Sequence, residues 1–350
     1  VSTINPKIRL RMSVSPNGVQ TMISLVDKST VFMQPIKNGS NNYILYSKNV
    51  KGSYSETFKC STVDGLEKAF NKTSLTQKIN EGGANNQELQ KFRIAISVTG
   101  EYTAYHGGTV AGALAGINAT LSRVNEVFET DMAVSFELIA NNDLIIYTNP
   151  ATDPYSNETN LENWNLELQN TLTNTIGNAA YDIGHLFGAD GDGGDAGCIG
   201  CVCVDDSAST SDINKGGGYT SPADGIPEGD TFDLNYVAHE IGHQMGANHT
   251  WAFDSEGTGV NSEPGSGSTI MAYAGITDAD DIQINSDDYF HYHSIRQILA
   301  NLTTKSCQTF ETINNNPPIA NSGNDYTIPQ GTPYVLRGSA TDADGTDNLT

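Results

Sequence analysis

The stretch His239-Glu240-Ile241-Gly242-His243-Gln244-Met245-Gly246-Ala247-Asn248-His249 constrains this chain more than any other. Two histidines four apart on a helix lie one turn apart on the same face, so both imidazoles reach one point. Gly246, lacking a Cβ, can stop the helix with a sharp turn and bring His249 round as a third nitrogen. Three neutral imidazoles leave a fourth tetrahedral position for water, the open arrangement of a catalytic zinc site. Glu240 sits one residue off the ligand stripe, which suits a general base better than a ligand. Three of the chain's seven histidines fall in this one element, which makes an incidental surface helix a poor explanation.

Charge narrows the partners. The 350 residues carry a net charge of −23 and a pI near 4.4, the opposite of the basic face that nucleic acid requires. The Asp-rich stretches Asp190–Asp195 and Asp278–Asp281 supply hard oxygen ligands suited to calcium, although neither follows the twelve-residue loop of an EF-hand. No apolar run is long enough to span a membrane. The chain opens at Val1, so a signal peptide, if there was one, has been removed. An Asn-X-Thr triplet at Asn248 overlaps the histidine cluster; a glycan there would block it, which favours a bacterial source.

Along the chain, residues 1–75 read as β-rich, with alternation at Val19–Leu25, Thr30–Met33 and Tyr43–Tyr46. Asn71–Gln90 has linker composition, and such stretches are where proteases cut. A second domain is expected over 91–312. Its strands are expected at Lys91–Val98, Val134–Ile139, Leu144–Tyr147 and Tyr181–Phe187. Helical spacing covers Thr109–Glu129, Asn160–Ile176 and Asp288–Asn301, and the histidine helix is expected to be capped by Thr231 or Asp233. Strand–helix–strand alternation argues for an α/β architecture. From 313 onward a Pro-rich linker leads into what looks like the first strands of an Ig-like module. That stretch is too short to close a sandwich of about 100 residues, so a longer natural chain is expected.

The five cysteines are Cys60, Cys198, Cys201, Cys203 and Cys307. An odd count leaves one thiol over, and no zinc-finger spacing follows the crowded trio, so bridges formed in an oxidising compartment are the simpler reading. Cys198 and Cys201 could close on each other.

The eleven-residue motif, followed about two dozen residues later by Met271, resembles the metzincin metalloendopeptidases. The strand 181–187, the glycine-rich stretch and Cys203 resemble the reprolysin-like (adamalysin) branch, in particular its secreted bacterial members with a pro-segment. That resemblance implies an α/β (α+β) catalytic domain with a twisted mixed sheet and an active-site helix. It implies His239, His243 and His249 as zinc ligands, Glu240 as general base and Met271 as an apolar floor beneath the metal. It also implies a Cys203–Cys307 bridge and Cys60 as a zinc ligand in the latent form, displacing water until the pro-segment is cut away within 76–90. Tyr273 departs from the reprolysin pattern and resembles the Met-x-Tyr of astacins and serralysins, where the hydroxyl can face developing oxyanion charge. A protein substrate would add as an extended strand, antiparallel to the strand preceding the glycine tract; His185 lies on that strand and reads as a cleft or core histidine. Two other functions remain open from sequence: a silent adhesion module on a protease fold, and a zinc amidase acting on peptidoglycan or short peptides.

Overall fold

The computed structural model describes residues 5, 8–25, 29–37, 39–48, 58–62, 87–207, 211–254, 256–314, 316 and 318–344. The cleavage stretch expected within 76–90 therefore lies outside the described residues up to 86.

Among the described residues, the first four strands, β1 (Arg9–Ser15), β2 (Gly18–Ser24), β3 (Val31–Pro35) and β4 (Tyr43–Ser47), form an antiparallel meander in that order. Alternation gives this sheet two faces. One face turns to the rest of the molecule through largely polar contacts. Arg9 Nε and Arg11 Nε meet the two carboxylate oxygens of Glu126 at 2.8 and 2.7 Å, and Arg11 also reaches Glu129. Met22 and Phe32 are its apolar anchors, both buried in the main core. The opposite face leaves Leu10, Met12 and Val14 exposed.

The second sheet is built on β5 (Glu88–Val98), which starts three residues ahead of the expected strand and is largely buried. Helix α1 (Gly100–Tyr105) leads to α2 (Val110–Met132), whose apolar spacing puts Ile117, Leu121, Val124 and Phe128 into the core. Strand β6 (Val134–Leu138) pairs parallel with β5. Helix α3 (Trp164–Thr175) follows, and β7 (Ile183–Phe187) pairs parallel with β5 and with β9 (Gly218–Ser221). Strand β8 (Gly193–Asp195) pairs antiparallel with β9, and β10 (Thr309–Thr312) antiparallel with the start of β5. The result is the expected mixed α/β sheet, with α4 (Ala238–Met245) and α5 (Tyr292–Leu302) completing the lower half. Strands β11 (Ile319–Asn321) and β12 (Ser339–Thr341) form a separate exposed ribbon.

Four expectations need correction. Leu144–Tyr147 is not a strand: a 3₁₀ turn covers Asn142–Ile145, and Ile146 makes one isolated bridge to Val98. The buried Asn142 side chain bonds both the N–H and the C=O of Ile96, at 2.9 and 2.8 Å, taking the place of a continuous ladder. Neither Thr231 nor Asp233 caps the histidine helix. Both lie in a π-helical turn, Thr231–Val237, that runs directly into α4. Asp233 points inward instead, accepting from Arg123 and from Thr120 at 2.6 Å each, because an unpaired buried guanidinium would be costly. Helix α5 begins four residues after Asp288, where His291 accepts from the His293 amide at 3.2 Å and caps it.

The fourth correction concerns the cleft. β7 is an interior strand, and the sheet edge is β8, inside the tract read as an acidic loop. His185 on β7 is fully buried and holds Gln244 Oε1 at 2.8 Å and Thr220 Oγ1 at 2.9 Å. Burial lowers its pKa to about 4, with the Gln244 bond opposing. It is a neutral core histidine that clamps α4 under the sheet.

Candidate metal centre

Helix α4 holds His239 and His243 one turn apart, and Gly246 ends it with φ +125°. A Cβ at Gly246 would lie 2.9 Å from that of Asn301, so α5 can approach only because this residue has no side chain. Asn301 uses the approach, donating to the Met245 carbonyl at 2.8 Å. The turn delivers His249 to the same point as the helical pair.

All three rings are oriented through Nδ1. His239 Nδ1 lies 2.7 Å from the Ile270 carbonyl and His243 Nδ1 2.8 Å from that of Ala247. His249 Nδ1 lies 2.9 Å from Glu256 Oε1. Carbonyl oxygens only accept, so Nδ1 carries the proton in the first two rings and Nε2 presents a lone pair. Yet His243 Nε2 lies 3.2 Å from His239 Nε2 and 3.0 Å from His249 Nε2. Burial, then the neighbouring His249 and His239, hold the His243 pKa well below its ordinary value, so protonation does not relieve the crowding. Ring nitrogens converging in a buried site fit a cation.

Cys60 completes the group. Its Sγ is 3.6 Å from His243 Nε2, and the four ligand atoms of Cys60, His239, His243 and His249 lie within 4.8 Å of one another. A tetrahedral zinc with nitrogens near 2.0–2.1 Å and sulfur near 2.3 Å has edges of about 3.3 and 3.6 Å. The three histidines and the cysteine therefore fit zinc both in donor chemistry and in size. Without a cation, burial and the nearby Glu240 push the Cys60 thiol up to about 11; coordination reverses that preference.

Glu240 is fully buried beside the cluster. Burial and the neighbouring Asp195 raise its pKa to about 8, against hydrogen bonds from Cys60 and Thr62. The Thr62 hydroxyl lies 3.1 Å from Oε2, while Oε1 is buried with no hydrogen-bond partner among the described residues. Met271 lies fully buried beneath α4, its sulfur against Gly242. The Tyr273 hydroxyl is 3.0 Å from His249 Nε2. Burial, then the charges of Cys60 and Glu240, raise its pKa, so it stays a donor. Cys60, His239, His243 and His249 thus converge on one point, with Glu240, Met271 and Tyr273 around them.

The stretch 58–62 crosses the site as an extra strand. Ser61 N donates to the Gly194 carbonyl at 2.8 Å and Gly194 N to the Lys59 carbonyl at 3.0 Å, a parallel pairing. Side chains alternate across it. Phe58, Cys60 and Thr62 face α4, while Lys59 and Ser61 are exposed. Thr62 also accepts from the Ala196 amide at 2.8 Å. Gly194 is required at this crossing, because a Cβ there would lie 2.4 Å from Glu240 Oε1 and 2.6 Å from the Phe58 ring.

Several contributors carry no sequence signal. Glu256, Thr62 and Gly194 follow no motif spacing. Glu263 is another: its carboxylate accepts from Thr250 and Thr269 hydroxyls at 2.5 and 2.6 Å and from the Ser268 and Thr269 amides at 2.9 and 3.1 Å. It ties the chain after His249 to the turn carrying Met271. Two disulfides, Cys198–Cys201 and Cys203–Cys307, brace the far end of α4 and α5. The acidic stretches 190–195 and 278–281 gather no comparable metal-binding cluster among the described residues; Asp281 is occupied by Thr277 and by the Gly275 amide. No described helix is long and apolar enough to cross a membrane.

Comparison with known proteins agrees with the geometry. No curated protein matches the chain. The profile of the reprolysin-like metallopeptidases of family M12B matches residues 89–302, from β5 to the end of α5. That span is more than half of the chain and holds all three clustered histidines, Glu240 and Met271, so the chain belongs to the M12B reprolysin-like metallopeptidases.

Proposed function

We propose that this chain is the latent form of a secreted bacterial zinc endopeptidase, with residues 1–75 as the pro-segment, 91–312 as the catalytic domain and Cys60 as the blocking ligand. The observation that carries the reading is the meeting of Cys60 with His239, His243 and His249 inside 4.8 Å, beside a buried glutamate. When bound, zinc would supply Lewis-acid polarisation of the scissile carbonyl and a lowered pKa for water.

The chain's own groups supply the rest. Glu240 lies where it can take a proton from water and return it to the leaving amine. Tyr273, held protonated, offers a donor to the oxyanion. The orienting bonds to Nδ1 of each histidine hold the ring planes and raise ligand basicity. Substrate would lie along β8 as an antiparallel strand. The stretch 58–62 uses that same edge but runs parallel to it, so its peptide bonds meet the site in the reverse sense. This direction supports an inhibitor that occupies the cleft without being cut there. The ion pairs of Arg9 and Arg11 with Glu126 supply solvent-exchangeable contacts in the docking of the N-terminal sheet, which suits a segment that must later leave.

Metal analysis of the purified chain, paired with gelatin digestion after limited proteolysis, tests the reading. One zinc per chain and chelator-sensitive digestion are expected; digestion that survives full zinc removal rejects it.

A further inference from the structure

Phe58 lies two residues before Cys60, on the same face of the crossing strand. It rests flat on the Tyr236 ring, with centroids 3.9 Å apart and planes inclined by 6°, and is 4 % exposed. Tyr236 precedes His239 by one helical turn, so the stack sits directly beside the metal centre. A partly open pocket adjoins Phe58, lined by Ala272, Ala274, Gly275 and Ile284 and also by Thr231 and Asn235.

Withdrawal of 58–62 would leave the Tyr236 ring face bare in the cleft, beside a pocket of mixed polarity. Aromatic pairs add a favourable ring–ring interaction beyond their area burial. An aliphatic side chain regains the area without the stack, and a charged one faces a desolvation cost. A substrate strand along β8 has the same two-residue alternation, so one of its side chains near the metal must face Tyr236. Resting on the endopeptidase reading above, we propose that Tyr236 is a specificity-determining residue, and that the substrates are polypeptides with an aromatic side chain next to the bond that is cut. Phe58 then holds the place of that substrate side chain in the latent form.

The test is the cleavage profile of the chain, activated by limited proteolysis, on a mixed peptide library read by mass spectrometry. Wild type is expected to enrich Phe, Tyr or Trp about two- to tenfold at one fixed position beside the cut, in line with the stacking energy. Tyr236→Phe should keep the enrichment, and Tyr236→Ala and Tyr236→Leu should lose it. Chelator-sensitive cleavage with a flat profile overturns the role of Tyr236 alone, as does enrichment that survives both Tyr236→Ala and Tyr236→Leu. Cleavage that chelators leave untouched rejects the endopeptidase reading itself, and this inference with it.

Discussion

Cys60 Sγ lies 3.6 Å from His243 Nε2, although 183 positions separate the two residues in the chain. That is the separation expected for two donors on neighbouring corners of one tetrahedral zinc. On the proposed ligation, Cys60→Ala removes one corner and opens it to water. The unprocessed variant is expected to digest gelatin at least tenfold faster than unprocessed wild type; equal latency in a zymogram time course would reject the thiol block.

Thr62 gives a second, weaker hold. Its hydroxyl meets Glu240 Oε2 at 3.1 Å and the Ala196 amide at 2.8 Å. A neutral hydrogen bond contributes about 0.5–1.5 kcal/mol, so Thr62→Val should raise basal activity of the unprocessed chain by a few-fold. The effect should vanish once the pro-segment has been removed, as kinetics before and after processing would reveal.

Glu240→Gln keeps the shape of the site and removes the proposed base. Loss of general-base catalysis typically costs 10²–10⁴-fold or more. Peptide cleavage should fall by at least that factor while elemental analysis still finds one zinc per chain. Loss of the metal instead would make Glu240 a structural support of the histidines.

Arg123 and Asp233 form a buried ion pair, with side chains 2 % and 1 % exposed, between α2 and the π-helical turn that leads into α4. Breaking such a pair by removing one partner costs about 3–5 kcal/mol, since the other charge stays buried. Asp233→Ala should lower the melting temperature by several degrees. Arg123→Met with Asp233→Leu should recover much of the loss, measured by thermal denaturation.

Glu263 sets an acid limit. Burial alone would raise its pKa, but two hydroxyls and two amides together bring it below the usual value of 4.5. The folded pKa is depressed, so its stabilisation is present above pH 4.5 and is lost as pH falls through the lower folded value. Glu263→Gln should be less stable than wild type at pH 7, and the gap should narrow below pH 4.5 in denaturation curves taken across pH.

The metal-binding helix was legible because its information is local: a four-residue period, a glycine where the chain must turn, and a third histidine just beyond. Met271 and Cys60 were pointed to only through the metzincin resemblance, and the fold brings both beside that helix. The cleft edge was not legible. Gly193-Gly194-Asp195 has the composition of a loop, and becomes a strand only because β9 on one side and 58–62 on the other supply hydrogen-bond partners distant in sequence. Asp233 has the composition of a helix cap, yet Arg123 draws it inward. Glu256 and Tyr236 act through contacts whose distances no linear spacing encodes.

The most direct measurement is X-ray absorption at the zinc edge of the intact chain. One sulfur near 2.3 Å and three nitrogens near 2.0 Å are expected, with the sulfur replaced by a light atom in Cys60→Ala. A wild-type spectrum without sulfur, or one unchanged by that substitution, would contradict the ligation of zinc by Cys60.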